Sequence, residues 1–302
     1  MSLIERLTRP LQATRLRSLA ARSLHILLAP QQLSCVVRHG SRVIEGSAQQ
    51  IALVNPSGHW QASLDALRAL LVESAATWAG LPLEISLSGR WSHMVLAPWS
   101  DALLSEPGAA HYLQSQLTTL YGDAARGWHV VGDDAPYGQA RVVCGIDAAL
   151  LQALKELADE CAHSCRVVEP LLCTALRSLS AEDTRAPSAA LALIEPGRIT
   201  MAALDRGRIV AIQSQPASGA WRQELPQAWQ RWTLRLPELA AIEHVAVVDP
   251  GTAPRIGPHI APGAIVQLVA DTLPPRFRIV ANPFGVAVME QQPNAASSGV
   301  AA

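Results

Sequence analysis

Two stretches of this chain read alike, and an internal duplication constrains a fold more than any single motif does. Leu27–Ile44 runs LLAPQQLSCVVRHGSRVI, and Leu193–Val210 runs LIEPGRITMAALDRGRIV. A shift of 166 positions with no gap sets Pro30 on Pro196, Leu33 on Ile199, Ser34 on Thr200, Arg42 on Arg208, Val43 on Ile209 and Ile44 on Val210. Each copy predicts a strand, a tight turn at its proline, a second strand, a glycine-containing turn and a third strand. Few positions are identical, so two unrelated β-meanders are the competing explanation. A true duplication makes a protein of two related halves, each opened by a three-stranded meander.

The 302 residues hold one large domain or two of ordinary size. With 49% hydrophobic and 16% charged residues, a sizeable core is expected and global disorder is excluded. A net charge of −1 provides no field that would steer the chain toward nucleic acid. Lys155 is the sole lysine, and this skew toward arginine reads as genome composition. The five cysteines are odd in number, and no apolar core with a small-residue cleavage site follows the Arg-rich start. Reduced thiols in the cytoplasm are therefore expected. No apolar run reaches the roughly 18 residues of a membrane-spanning helix.

Residues 1–22 stand apart as a basic amphipathic segment. Leu3, Ile4, Leu7 and Leu11 fall at helical spacing, and Arg6, Arg9, Arg15, Arg17 and Arg22 face a single acid, Glu5. It reads as a surface helix or frayed terminus, as a contact with anionic lipid, or as a partner contact. In the last two readings Leu3, Ile4, Arg6, Leu7 and Arg9 carry the contact.

A first half is expected over residues 23–182. After its meander come a helix over Gln61–Trp78, strands Leu83–Ser88 and Trp91–Ala97 joined through Gly89, and a helix from the Ser105 cap to Tyr121. Strands Trp128–Val131 and Gln139–Cys144 follow, then a helix capped by Asp147, a strand Arg166–Val168 and a helix from Pro170 to Leu179. The polar stretch SAEDTRAPS, residues 180–188, marks the boundary. The second half, residues 183–289, adds to its meander a helix over Ala220–Leu236. Trp221, Leu225, Trp229 and Trp232 face inward there, and Pro226 should kink the helix or delay its start. Strands His244–Val248, Ala264–Val269 and Phe277–Ala281 complete it, and residues 290–302 are expected to be disordered. This order predicts an α/β protein with a mixed sheet in each half. Ligand crevices in such folds lie at the strand ends, here between the lobes.

Chemistry-bearing clusters are sparse. Cys161, His163 and Cys165 have metal-like spacing, but only Cys173 is near enough to add a ligand, and Cys161 falls on an apolar helix face. Core cysteines are the better reading, and no metal is expected. Asp133, Asp134 and Asp249 lie near strand ends; Asp133 and Asp134 read as a solvated turn. No GxSxG, HExxH, Walker loop or GxGxxG occurs. The eight tryptophans are scattered along the chain, which fits core packing and some interface anchors better than base stacking.

Leu87–Trp99 (LSGRWSHMVLAPW), Gly145–Leu151 (GIDAALL), Val168–Leu172 (VEPLL) and Asn282-Pro283-Phe284, together with the two meanders, carry a resemblance. Over about residues 24–288 the chain resembles the actin and sugar-kinase superfamily. Within it, the likeness is to the PilM and GspL cytoplasmic domains of type IV pilus and type II secretion machines. The resemblance implies a duplicated actin-like (ribonuclease H-like) fold of two lobes. ATP-binding members of that superfamily are expected to have an Asp-x-Gly at the first meander turn, where this chain has Ala29, Pro30, Gln31 and Gln32. An acid and a glycine are expected again at the second turn, which here reads Glu195, Pro196, Gly197 and Arg198. A Gly-Gly pair in the adenosine motif is replaced by Asp249-Pro250-Gly251. Proline has no N–H for a phosphate, and Glu195 would repel one unless a metal intervened.

The resemblance thus implies a vestigial nucleotide cleft, no catalytic residue and no cofactor: a pseudo-ATPase. GspL adds a transmembrane helix and a periplasmic domain that this sequence does not show, so the likeness is greater to PilM. It implies a cytoplasmic scaffold peripheral to the inner membrane, whose partners are a bitopic inner-membrane platform protein and an assembly ATPase. The alternative is an ATP-dependent enzyme of the actin-like or sugar-kinase kind with atypical phosphate turns, using Glu195, Asp249 and Asp133. A lipid- or nucleic-acid-binding module built on the basic start is a third reading. The near-zero net charge weakens it, and no nucleic-acid partner is expected.

Overall fold

A computed structural model describes residues 22–179, 188–251 and 273–285. The chain opens with a meander of β1 (Arg22–Ala29), β2 (Gln32–His39) and β3 (Arg42–Val43), and β4 (Gln49–Ala52) also pairs with β2. Helices α1 (Trp60–Glu73) and α2 (Ala75–Trp78) lead to β5 (Leu83–Leu87). Then come β6 (Ser92–Ala97), α3 (Glu106–Tyr121), β7 (Trp128–Gly132), β8 (Arg141–Asp147), α4 (Ala148–Glu160), β9 (Cys165–Pro170) and α5 (Leu171–Ser178). The second half has β10 (Ser188–Glu195), β11 (Arg198–Asp205), β12 (Arg208–Pro216), α6 (Trp221–Arg235), β13 (Val245–Val248) and β14 (Phe277–Ile279).

The main sheets share one topology. The first runs β3-β2-β1-β5-β9 and the second β12-β11-β10-β13-β14, each with an antiparallel meander followed by two parallel strands. The offset of 166 read from the sequence carries β1 onto β10 and β2 onto β11 residue for residue, and Arg42 at the start of β3 onto Arg208 at the start of β12. Hairpin registers agree as well: Ala29 opposes Gln32, and Glu195 opposes Arg198. The second hairpin turns through Pro196-Gly197, with Gly197 at φ +79°, a value that favours glycine.

Alternation along β1 explains the layering. Leu24, Ile26 and Leu28 belong to one core with Leu64, Leu67 and Leu71 of α1 and Leu150, Leu154 and Leu157 of α4. Leu27 and Ala29 point the other way, into a core shared by both lobes. There Val36, Leu171 and Leu172 cluster with Leu191, Leu193, Ala202, Val248 and Phe284. The outer face of the second sheet is covered by α6 through Trp221, Leu225, Trp229 and Trp232.

Four expectations are corrected. The first half carries two sheets, because β6, β8 and β7 form a separate antiparallel sheet between β5 and α4. Helix α3 lies against it where glycines leave room: a Cβ on Gly132 would approach Leu113 to 2.9 Å, and one on Gly145 would approach Leu117 and Trp128 to 2.7 Å. The helix expected over Gln61–Trp78 breaks at Ser74, whose N–H closes on the carbonyls of Leu70 and Val72. Helix α6 starts at Trp221, within one residue of the expected start, so of the two effects expected of Pro226 the delayed start does not occur. The missing N–H of Pro226 removes only the bond to the Arg222 carbonyl, one turn into the helix. The predicted strand Gln139–Cys144 begins at Arg141 and runs on to Asp147. The basic segment with Leu3, Ile4, Arg6, Leu7 and Arg9, the strand Ala264–Val269, nearly all of the boundary stretch and the tail at 290–302 lie outside the described residues. No helix among the described residues is long and apolar enough to cross a membrane.

Candidate functional site

The meander turns of the two lobes meet the opposite lobe along a single seam, and each sends a polar side chain across it. Glu195, the last residue of β10, is buried. Its carboxylate accepts from the Gly89 N–H, at 3.0 Å to Oε1 and 3.2 Å to Oε2. The Ser88 side chain lies close to it, and Ser88 Oγ accepts from the Arg90 N–H at 3.1 Å. Burial raises the Glu195 pKa; the neighbouring Ser88 hydroxyl, the Gly89 N–H and the nearby Arg198 charge pull it back. A Cβ on Gly89 would lie 2.9 Å from Glu195 Oε2 and 3.6 Å from Arg198 Cδ, so the carboxylate sits where only glycine leaves room. Arg198 Nη1 donates to Ser214 Oγ at 3.2 Å.

The first hairpin answers from the other side. Gln32, at the start of β2, is buried, and its Nε2 donates to the Pro250 carbonyl at 3.0 Å and to Ser34 Oγ at 2.7 Å. Asn282 Nδ2 reaches the same carbonyl at 3.2 Å, while Asn282 Oδ1 accepts from the Phe284 N–H at 2.9 Å. Arg38 donates to the Pro283 carbonyl. Asp249 Oδ1 turns back to accept from the Gly251 N–H at 3.0 Å.

The structure therefore brings Gln32, Glu195, Arg198, Asp249 and Gly251 to the seam, while Ala29 lies in the shared core with its carbonyl accepting from Ser63 Oγ at 3.0 Å. Gln31, Pro196 and Gly197 are exposed at the hairpin tips, and Pro30 is half-buried. Asp133 is not grouped with these acids. Its Oδ1 accepts from the Val142 N–H at 2.9 Å, and its Oδ2 faces Arg208, an arginine of the repeat, at 3.6 Å. Asp134 is exposed.

Beside Glu195 the seam is walled by aromatics. His93 stacks on Trp128 with ring centroids 4.3 Å apart and tilts against Tyr121 at 4.6 Å. Burial, with Arg198 and Arg90 nearby, lowers its pKa to about 4. The cavity left between His93, Tyr121, Gly89, Glu195 and Arg198 is about 40 Å³, against roughly 300–1,000 Å³ for small-molecule pockets.

The metal-like cysteines serve the core or its edge. His163 is buried with Nδ1 2.9 Å from the Leu81 carbonyl. Cys161 is at the C-terminal end of α4, and it and Cys165 are half-buried against the first core. Burial pushes the Cys173 thiol up to about 12.

Sequence reasoning missed Gln32 as a cross-lobe donor, and did not assign Gly89, Ser88 or Asn282 to the site. Gly89 was visible as a turn residue. Nothing local says that it must admit a carboxylate from 106 positions away. Asn282 had a weak signal in its Asn-Pro turn.

No protein-family model matches the chain, and no curated protein matches it. Solved structures do. A Bacteroides thetaiotaomicron protein with actin-like ATPase fold and unknown function is similar at 12% identity over 78% of this chain and 84% of that one, with a TM-score of 0.51. PilM, in a PilM–PilN type IV pilus biogenesis complex, is similar at 13% identity over 88% of this chain and 89% of that one, with a TM-score of 0.55. The cytoplasmic domain of EpsL, an inner-membrane component of the Vibrio cholerae type II secretion system, matches at 15% identity over 87% of this chain and 91% of that one, with a TM-score of 0.47. The chain has the actin-like ATPase fold. That fold implies a magnesium nucleotide between the lobes, and the residues present do not fit one. A buried carboxylate occupies the second turn, proline stands in both turns, and the seam is bridged by the protein's own side chains.

Proposed function

We propose that this chain is a non-catalytic scaffold of a type IV pilus or type II secretion-type assembly platform. It sits in the cytoplasm at the inner membrane and joins a bitopic membrane partner to the assembly ATPase. The observation that carries this reading is the bridged seam, in a fold shared with PilM. Glu195 and Gln32 spend their polar groups on the opposite lobe, and the remaining cavity of about 40 Å³ is far below nucleotide size. A fold relieved of turnover keeps its value as a rigid surface for partners. The basic segment at 1–22 assists attachment, since each Arg near an anionic surface adds about 1 kcal/mol and its apolar face is short.

Two measurements test this. Affinity capture from a membrane extract recovers a small single-span protein and an assembly ATPase, and recovery of neither refutes the scaffold. Calorimetric titration with ATP and Mg²⁺ gives no binding heat; micromolar binding would move the chain to the enzyme class, with Glu195, Asp249 and Asp133 as its acids. In cells, deleting residues 1–20 lowers membrane recruitment while leaving the circular dichroism spectrum unchanged.

A further inference from the structure

The Glu195 contact has the makings of a binding site that the protein fills itself. The receiving side belongs to the first lobe and is built from three parts. The Gly89 N–H is aimed at both carboxylate oxygens, at 3.0 and 3.2 Å. The Ser88 hydroxyl lies beside the carboxylate and is oriented by the Arg90 N–H bound to its oxygen. The missing Cβ of Gly89 leaves the space that Oε2 enters, 2.9 Å from where a Cβ would be. Arg198 adds positive charge alongside, its Cδ 3.6 Å from that same point, and the cavity of about 40 Å³ adjoins the carboxylate. Backbone amide, neighbouring hydroxyl and glycine gap, with the positive charge of Arg198 close by, together make a receptor for a planar anion. The occupant arrives from the other lobe, 106 positions along the chain.

We infer that the seam contains a carboxylate-binding site formed by Gly89, Ser88 and Arg198, occupied in cis by Glu195 and open to a small free carboxylate once that side chain is removed. The site stands apart from the scaffold role: a chain that binds no partner could still hold it, and the converse. Its ligand class follows from the geometry. Two oxygens of one planar group share one N–H, and the adjoining cavity of about 40 Å³ leaves room for little more than a small carboxylate.

The test is Glu195→Ala, titrated with sodium acetate, sodium phosphate and sodium chloride at equal ionic strength. Thermal unfolding and the amide resonance of Gly89 are followed. The variant is expected to show a saturable rise in Tm with acetate and a saturable return of the Gly89 amide shift toward its wild-type position. Wild type shows neither, because its site is full. Gly89→Ala in the same background shows neither, because the new methyl fills the gap. No saturable response of Glu195→Ala to acetate overturns the proposal, as does an equal response of wild type or of the double variant. A response to phosphate and none to acetate overturns the assignment to a carboxylate. Should Glu195→Ala fail to fold in chloride, recovery of its near-ultraviolet circular dichroism on refolding in acetate supports the site, and failure in both media overturns it.

Discussion

Gly89→Ala isolates the seam with a single methyl group. The φ angle of Gly89 is outside the left-handed region, so the substitution carries no backbone strain, and its whole effect is the clash 2.9 Å from Glu195 Oε2. That oxygen cannot stay. Moving it breaks the bonds from the Gly89 N–H and leaves a buried carboxylate short of donors. A hydrogen bond to a charged group contributes about 1.5–3 kcal/mol, and an unsatisfied buried group costs about as much. A loss of about 2–3 kcal/mol is expected, which for a chain of this size corresponds to roughly 3–5 °C in Tm. In a Glu195→Ala background the same methyl meets nothing closer than Arg198 Cδ at 3.6 Å, an ordinary contact. Its cost should then fall to about 0.5 kcal/mol. Urea titrations of the wild type, both single variants and the double variant give the coupling energy, expected at about 1.5–2.5 kcal/mol. If the two substitutions prove additive, Glu195 does not rest on Gly89 and the account of the seam fails.

Three further outcomes are expected. Trp229→Ala removes a buried side chain that packs edge-on to Trp232 at 5.5 Å, and should cost about 3–5 kcal/mol by chemical denaturation; an unchanged midpoint would detach α6 from the core. Gln31→Ala, at an exposed tip, should stay within about 0.5 kcal/mol, while Gln32→Ala next to it should cost about 1–2 kcal/mol by orphaning its share of the Pro250 carbonyl; equal effects would contradict the cross-lobe bond. His25 is held neutral, its pKa lowered to about 3 by burial first and then by Arg38, Arg177 and Arg166. Its contribution is complete above pH 6.5, the unfolded value, and is lost as pH falls from there toward 3. Glu84 and Glu195, raised by burial, act in the opposite sense. The comparison is therefore with His25→Gln, whose stability loss between pH 7 and 4.5 should be smaller than that of wild type; an equal loss would clear His25 of that role.

What the sequence disclosed was what repeats or alternates. The 166-residue offset predicted two meanders, and β1, β2, β10 and β11 fall on it without a slip, because strand pairing preserves a period of two that survives extensive substitution. The inward tryptophans of α6 were legible from helical spacing, and all three of Trp221, Trp229 and Trp232 are buried. Strand grouping was not legible. The segment Trp91–Ala97 alternates as any strand does, and nothing in it says that β6 leaves the main sheet to pair with β8. The seam was half legible. Its turns were expected to lack phosphate ligands, but that Glu195 and Gln32 would each bond the opposite lobe depends on backbone groups at Gly89 and Pro250, which carry no side-chain signal.

The small sheet of β6, β7 and β8 has its first and last strands in register, with Ser92 directly opposite Ile146. The polypeptide thus departs from the main fold and rejoins it at points about 5 Å apart. To the surrounding framework, everything from Ser92 to Ile146 amounts to a hairpin stub. A graft of that kind can grow, shrink or be exchanged for another without altering the order of strands in either large sheet. Across proteins built on this framework, variation in size and surface should therefore concentrate in this module, leaving the duplicated strands to keep the geometry constant.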